Sequence, residues 1–328
     1  MGAEIKYISK IEIKGLWGKF DLEWDLQPDV NVLSGINGSG KSTILNCVSK
    51  LLTNFSELNL NKNPLIDEIG EHINFCKIIF DDGDNAQFEF INKQNSSKSE
   101  IEKKLTNYNK YAFLGENYNV NIFENKELSN KNNLFQIDTI TTFDTVLKSA
   151  EAINKISDDD AKTELDWEIY HLQKRYLKYK LSTAQKTIEA INKGISNGKL
   201  LEIQANQDRF SDIIDTLFEE THKKLNRKED EISFLLGEEK ISVYQLSSGE
   251  KQLLVILLTV LVQDNKNAIL FMDEPELSLH FDWQKKLIEY IRELNPNVQI
   301  ILATHSPAII MNGWMDKVSD VSDLIKPV

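Results

Sequence analysis

The stretch from Gly35 to Thr43 reads "GINGSGKST". Gly35, Gly40, Lys41 and Ser42 stand at the G-x-x-x-x-G-K-[ST] spacing of a phosphate loop, after the apolar run "VNVL" and before a helical pattern. Asn37, Gly38 and Ser39 fill the loop and Thr43 continues the helix. Glycines let successive backbone N–H groups converge on phosphate oxygens, and the helix N-terminus adds its positive dipole end. Lys41 is placed to reach the β- and γ-phosphates, and Ser42 to give its hydroxyl to Mg²⁺. At roughly 7% glycine this spacing arises by chance in about one chain per hundred of this length. The strand before it and the helix after it make chance rarer still.

Such a loop needs an acidic metal partner at the end of another buried strand. "AILFMDEPE" supplies one: Asp273 follows an apolar run and can hold Mg²⁺ directly or through water. Glu274, its neighbour, is the candidate general base that aims a water at the γ-phosphate. "VQIILATHSP" is a further buried strand that ends at His305, a candidate γ-phosphate sensor.

Around these strands the chain divides into three stretches. Residues 1–144 form an N-terminal lobe with period-2 strands, among them "YISKIEIKGL" and the hairpin "INFCKIIFDDGDNAQFEFIN". Residues 145–230 are helical. Leu165, Ile169, Leu172, Tyr176 and Tyr179 recur at helical spacing, Ala184, Ile188 and Ile191 follow after a phase slip, and Phe210, Ile213, Leu217, Thr221 and Leu225 repeat the pattern. "NKGISNGK" lies between as a turn. This periodicity fits an antiparallel arm and a subdomain packed on the core equally well. Residues 231–328 return to an α/β pattern, with a hairpin in "ISFLLGEEKISVYQ" and a helix from Phe281 to Leu294. The expected fold class is therefore α/β, a phosphate-loop ATPase with a mixed sheet, an antiparallel N-terminal lobe and a helical insertion.

Composition narrows the function. With 41% hydrophobic and 27% charged residues the chain can bury a core. No run of eighteen apolar residues occurs and the first residues are charged, so we expect a cytoplasmic protein without a membrane partner. Cys47 and Cys76 are the two cysteines, too few for a disulfide framework or a cysteine-pair zinc site. A net charge of −13 argues against unaided, nonspecific DNA binding.

One further turn has two readings. In "YQLSSGEKQLLVILLTVL", Ser247 and Glu250 have the spacing of a capping box before an apolar helix. Taken with "GINGSGKST", "LFMDEPELSLH" and "ATHSP", in that order, the turn resembles the signature of ATP-binding-cassette ATPases. The resemblance covers both ends of the chain. It implies a head-to-tail homodimer in which Ser247, Ser248, Gly249 and Glu250 of one subunit close on the ATP held by the other's phosphate loop. It also implies Ser278, Leu279 and His280 at the dimer seam and a glutamine near the metal, for which Gln136 is the candidate. Trp17 and Phe20 are candidates to stack on adenine.

Glu250, "EPELSLH" and "THSP" look less like transporters and more like soluble ATPases of the OLD and Septu defence type. That resemblance implies ATP and Mg²⁺ as ligands, with Lys41, Glu274 and His305 as catalytic residues and Ser42, Asp273 and Gln136 around the metal. No nuclease-sized segment follows Pro307, and no HNH-like histidine cluster or Arg–His nuclease pair is present. The expectation is an ATP-gated sensor in anti-phage defence that acts through a separate effector, such as an HNH-type nuclease. The same motifs suit a DNA-repair ATPase that clamps DNA and, less well, the energy subunit of a membrane importer.

Overall fold

The computed structural model describes residues 7–55, 64–92, 111–114, 118–125, 136–140, 163–194 and 197–328. β1 (Ile8–Leu16) and β2 (Phe20–Asp25) form a hairpin, and β3 (Val30–Ser34) leads through the phosphate loop into α1 (Lys41–Phe55). α2 (Pro64–Gly70) precedes β4 (Phe75–Phe80), β5 (Asn85–Asn92), β6 (Tyr111–Leu114) and β7 (Tyr118–Asn125). β8 (Gln136–Ile140) is followed by two long helices, α3 (Glu164–Asn192) and α4 (Asn197–Leu217). Then come β9 (Lys223–Leu225), β10 (Ser233–Leu236), β11 (Glu239–Ser242) and α5 (Ser248–Leu261). β12 (Ala268–Asp273), α6 (Phe281–Leu294) and β13 (Val298–Ala303) complete the central layer. α7 (Pro307–Met311), β14 (Val318–Asp320), α8 (Val321–Leu324) and β15 (Ile325–Pro327) close the chain.

The central sheet is parallel, in the order β14-β3-β13-β12-β8. "AILFMD" and "VQIILA" are apolar without alternation because both of their faces are covered. Val32, Leu270, Met272, Ile300 and Leu302 face the helical layer of α3, α4, α5 and α6. Leu33, Ile269, Phe271, Ile301 and Ala303 face α1 and a seven-stranded antiparallel sheet, β15-β2-β1-β4-β5-β7-β6. β3 therefore leaves its all-β surroundings in the sequence to join the parallel sheet. A third sheet, β11-β10-β9, carries the expected "ISFLLGEEKIS" hairpin.

The helical stretch packs on the body. Leu165, Ile169, Leu172, Tyr176 and Tyr179 of α3 and Phe210, Ile213 and Leu217 of α4 enter one buried cluster with α5 and the sheet. Buried in this way, they hold the insertion by the hydrophobic effect at about 1.5–3 kcal/mol for each large side chain. The second helical line is shorter than its periodicity suggests. α4 ends at Leu217, His222 adopts a left-handed φ of 55° beyond the following turn, and Leu225 lies in β9. Gly194, at φ +65°, follows the C-terminus of α3, whereas Gly198 lies inside α4. Residues 141–162, which include the expected boundary near residue 145, lie outside the described residues. No helix among the described residues is long and apolar enough to cross a membrane.

Candidate nucleotide site

Register decides where the site forms. β12 and β13 pair with Asp273 opposite Ala303, and β13 pairs with β3 with Ala303 opposite Leu33. The phosphate loop, the acidic loop after Asp273 and the turn containing His305 therefore leave the sheet at the same carboxyl edge. Ligands of open α/β sheets bind at such edges.

The loop has the backbone that converging amides require. Gly35, Gly38 and Gly40 have φ of 149°, 79° and 98°, a region that side-chain-bearing residues rarely adopt. Gly40 is doubly constrained, because a Cβ there would lie 2.1 Å from the Trp17 indole. Trp17 thus packs on the loop itself, while Phe20 lies in β2 opposite Leu16 and Pro327. Asn37 and Gly38 are exposed at the loop crest, and Thr43 is half-buried in the first turn of α1.

Lys41 is buried at the head of α1. Its Nζ donates to the carbonyls of Gly35 (3.1 Å) and Ile36 (3.3 Å) and lies 2.5 Å from His305 Nε2. The same Nε2 is 3.3 Å from Glu274 Oε1. Ser42 Oγ donates to Asp273 Oδ1 at 2.9 Å. Five side chains from three loops meet here, as the spacing of the motifs predicts. A hydroxyl and a carboxylate oxygen form the hard-oxygen donor set that suits Mg²⁺. Ser39 Oγ, inside the loop and shielded from solvent, lacks a hydrogen-bond partner among the described residues. Buried polar atoms are normally paired, so the loop fits a phosphate oxygen as the missing acceptor.

The carboxylates differ in electrostatics. Burial raises the Asp273 pKa, while the Ser42 hydrogen bond and the Lys41 charge act the other way. Burial pushes Glu274 up to about 7, helped by the charge and hydrogen bond of Glu276 and opposed by Lys41. A carboxyl group titrating there matches a general base at neutral pH. Glu274 is also held at φ 48°, a conformation that costs a non-glycine residue of order 1–3 kcal/mol. Its backbone N–H donates to the Ala303 carbonyl at 2.9 Å, so the sheet edge enforces that angle.

Glu276 is the site residue that motif reading passes over. Its Oε1 accepts from Thr304 Oγ1 (2.5 Å), His305 N (3.0 Å) and Ser306 N (3.1 Å). The signal was the second glutamate of "DEPE", but its partners lie nearly thirty residues away.

Gln136 does not join the site. It opens β8 opposite Ala268, at the other end of the strands from Asp273, and its Nε2 donates to Asp138 Oδ2 at 2.8 Å. Five residues of strand separate it from the Asp273 end of the sheet, roughly 16 Å at about 3.3 Å per residue. The end of β8 that reaches that edge is Ile140, opposite Met272.

The "SSGE" turn lies at the start of α5, on the helical face of the sheet and opposite α1. Ser247 is the N-cap: its Oγ accepts from Glu250 N, and Glu250 Oε2 accepts from Ser247 N at 2.9 Å. The Glu250 carboxylate faces inward, almost fully buried, and accepts from Lys223 Nζ (2.7 and 2.9 Å) and Thr221 Oγ1 (2.9 Å). Burial opposes its ionisation, yet these bonds and the Ser247 amide hold its pKa below the ordinary value. This carboxylate is engaged within its own subunit, by Lys223, Thr221 and the Ser247 amide, and does not point outward as the resemblance implies. Gly249 is buried against the next loop, where a Cβ would lie 2.3 Å from the Ser278 carbonyl oxygen. Ser247 and Ser248 alone of the four remain exposed. Ser278, at φ 72°, and His280 are exposed beside them, and Leu279 is buried.

A family model described as "AAA domain, putative AbiEii toxin, Type IV TA system" matches residues 30–312. The Septu protein PtuA of Bacillus thuringiensis is 25% identical, over 92% of this chain and 72% of its own. A retron Vc95 probable ATPase of Vibrio cholerae serotype O1 biovar El Tor is 22% identical, over 91% of this chain and 70% of its own. Among solved structures, the SmcHead bound to the C-winged helix domain of ScpA superposes with a TM-score of 0.53 at 16% identity. That superposition covers 98% of this chain and 97% of the other.

Proposed function

The chain belongs to the AAA_21 family, and from that premise we propose that it hydrolyses ATP as a homodimeric switch controlling a separate effector. The observation that carries this reading is the meeting of Lys41, Ser42, Asp273, Glu274 and His305 at one sheet edge. Mg²⁺, bound by Ser42 and Asp273, would neutralise phosphate charge and orient the phosphate chain. Lys41 exchanges its loop carbonyls for phosphate oxygens, and the amides of the loop and of α1 bind the remaining ones. Glu274 accepts the proton of the attacking water. His305, fixed by Glu276, donates toward the γ-phosphate.

The outer side of that phosphate would be closed by a second subunit. Ser247 and Ser248, with the first amides of α5, form a second anion-binding end on the opposite face of the sheet. A head-to-tail pair of subunits brings one to the other, so ATP holds the dimer closed and its loss opens it. The likeness to PtuA and to a retron ATPase supports a role in anti-phage defence through a separate protein, such as an HNH-type nuclease, in the cytoplasm.

Phosphate release by the purified chain tests the enzymatic part. Lys41→Ala should abolish nucleotide binding, and Glu274→Gln should retain ATP but not hydrolyse it. Equal turnover by all three proteins would reject the assignment. If the wild-type chain, with no effector beside it, cleaves nucleic acid or arrests growth, the regulatory part fails.

A further inference from the structure

α3 carries two apolar lines. The first, from Leu165 to Tyr179, is buried in the core. The second, Leu181, Ala184, Ile188 and Ile191, advances by three, four and three residues, the a/d spacing of a helix–helix seam. It faces solvent: Leu181 is 70% exposed, Ile188 59% and Ile191 58%. The inward side of the same turns is occupied by Thr183 and Ala190, about a third of a turn round the helix. Isolated exposed aliphatic side chains need no explanation, but three in seam register on one helix form a surface.

Charge selects the occupant. From Lys174 to Lys193 the helix and its cap carry Lys174, Arg175, Lys178, Lys180, Lys186 and Lys193 against the single acid Glu189, in a chain of net charge −13. Arg175, Lys180 and Lys186 are paired with Asp138, Asp230 and Asp264. Lys174 and Lys178 are exposed along one border of the apolar line. A second copy laid on this seam would set lysines against lysines. A nucleic acid would use the lysines and leave the aliphatic side chains wet. We propose that Leu181, Ile188 and Ile191 are the docking seam for an amphipathic helix of a partner protein, with apolar a/d positions and acidic flanks.

The seam is mechanically joined to the signature turn. α3 is one helix of 29 residues, about 43 Å long. At its start Asp166 Oδ1 lies 2.8 Å from Nζ of Lys251, in the first turn of α5. Motion of the turn that closes on ATP therefore reaches the seam through α3. This coupling rests on the dimer switch proposed above, whereas the seam does not.

The probe is a four-heptad helical peptide with Leu at a and d and Glu at e and g, titrated against the full chain by fluorescence anisotropy. The same peptide with Lys at e and g, and a DNA duplex, serve as comparisons. The acidic peptide should bind, the basic one should not, and Ile188→Glu should weaken binding about tenfold or more, as expected for losing one buried aliphatic contact. Lys178→Glu should weaken it and reduce its salt dependence. Equal binding of both peptides, or no effect of Ile188→Glu, overturns the proposal. It is also overturned if Ile188→Glu breaks up a wild-type oligomer, which would assign the seam to a second copy. Duplex binding lost on Lys178→Glu but kept on Ile188→Glu would assign the face to nucleic acid. In Glu274→Gln, MgATP should change the acidic peptide's affinity. An unchanged affinity, with ATP retention measured separately, rejects the coupling while leaving the seam intact.

Discussion

Glu276 Oε1 accepts the backbone N–H of His305 at 3.0 Å, so the loop after β12 and the turn after β13 move as one piece. Thr304 Oγ1 and Ser306 N donate to the same oxygen. Glu276 acts as a positioning residue: it fixes the backbone from which His305 reaches Lys41.

Glu276→Ala removes the acceptor of three donors, two of them buried. Leaving a buried donor unpaired costs on the order of 1–3 kcal/mol, although Ser306 N keeps Thr304 Oγ1 as an acceptor. We expect lower thermal stability and a fall in kcat with little change in KM. Glu276→Gln, which keeps an acceptor oxygen in place, should recover most of kcat. If Ala and Gln variants lose kcat alike, with KM rising in both, the residue is not acting through His305.

Glu274 predicts a pH dependence. Its folded pKa is about 7 against an ordinary 4.5, because of burial and then Glu276. The folded state therefore holds this proton more tightly than the unfolded one. Its contribution to stability is full below about pH 4.5 and is lost as pH rises through about 7. Chemical denaturation of the nucleotide-free chain should show stability declining over that window relative to Glu274→Gln, which lacks the titrating group. Parallel profiles for the two proteins would show that the shift is not real.

Glu250 anchors the signature helix to Lys223. Glu250→Ala removes the capping partner of Ser247 and leaves a largely buried ammonium unpaired, at a cost of about 3 kcal/mol. The chain should unfold at lower denaturant, whereas Glu250→Gln, which preserves the cap geometry, should lose less. An unaffected midpoint for Glu250→Ala would contradict this anchoring role.

Gly249→Ala presses a methyl group 2.3 Å from the Ser278 carbonyl oxygen, so α5 and the loop at Ser278 must separate. Overpacking of this kind costs about 1–3 kcal/mol. ATP-dependent self-association should weaken more than nucleotide affinity for the isolated subunit. Unchanged association with lowered nucleotide affinity would contradict that order.

The fold was legible where chemistry and backbone coincide. "GINGSGKST" is legible because glycines at fixed spacing dictate left-handed backbone, and Asp273 and His305 because one ends and the other closely follows a fully buried strand. Gln136 was misplaced because a strand-like pattern carries no register: only the pairing with Ala268 shows that it lies at the far end of the sheet. The resemblance places Glu250 among the nucleotide contacts, since a capping-box glutamate and an outward-facing ligand have the same sequence. Its burial against Lys223 and Thr221 separates the two. Glu276 is not legible because its partners, a hydroxyl and two backbone amides, lie in another loop. The seam on α3 was visible as periodicity, but whether it packs inside or faces solvent depends on the three-dimensional path of α4.

In the proposed switch, Ser247 of one subunit completes the nucleotide site of another. The most direct measurement is the solution mass of Glu274→Gln by sedimentation, with and without MgATP, beside the double variant carrying Ser247→Arg. ATP should drive Glu274→Gln into a dimer, or tighten an existing one, and Ser247→Arg should abolish this effect while ATP remains bound. If ATP binds both proteins and leaves the mass and compactness of both unchanged, the turn is only a helix cap and the paired-site mechanism is wrong.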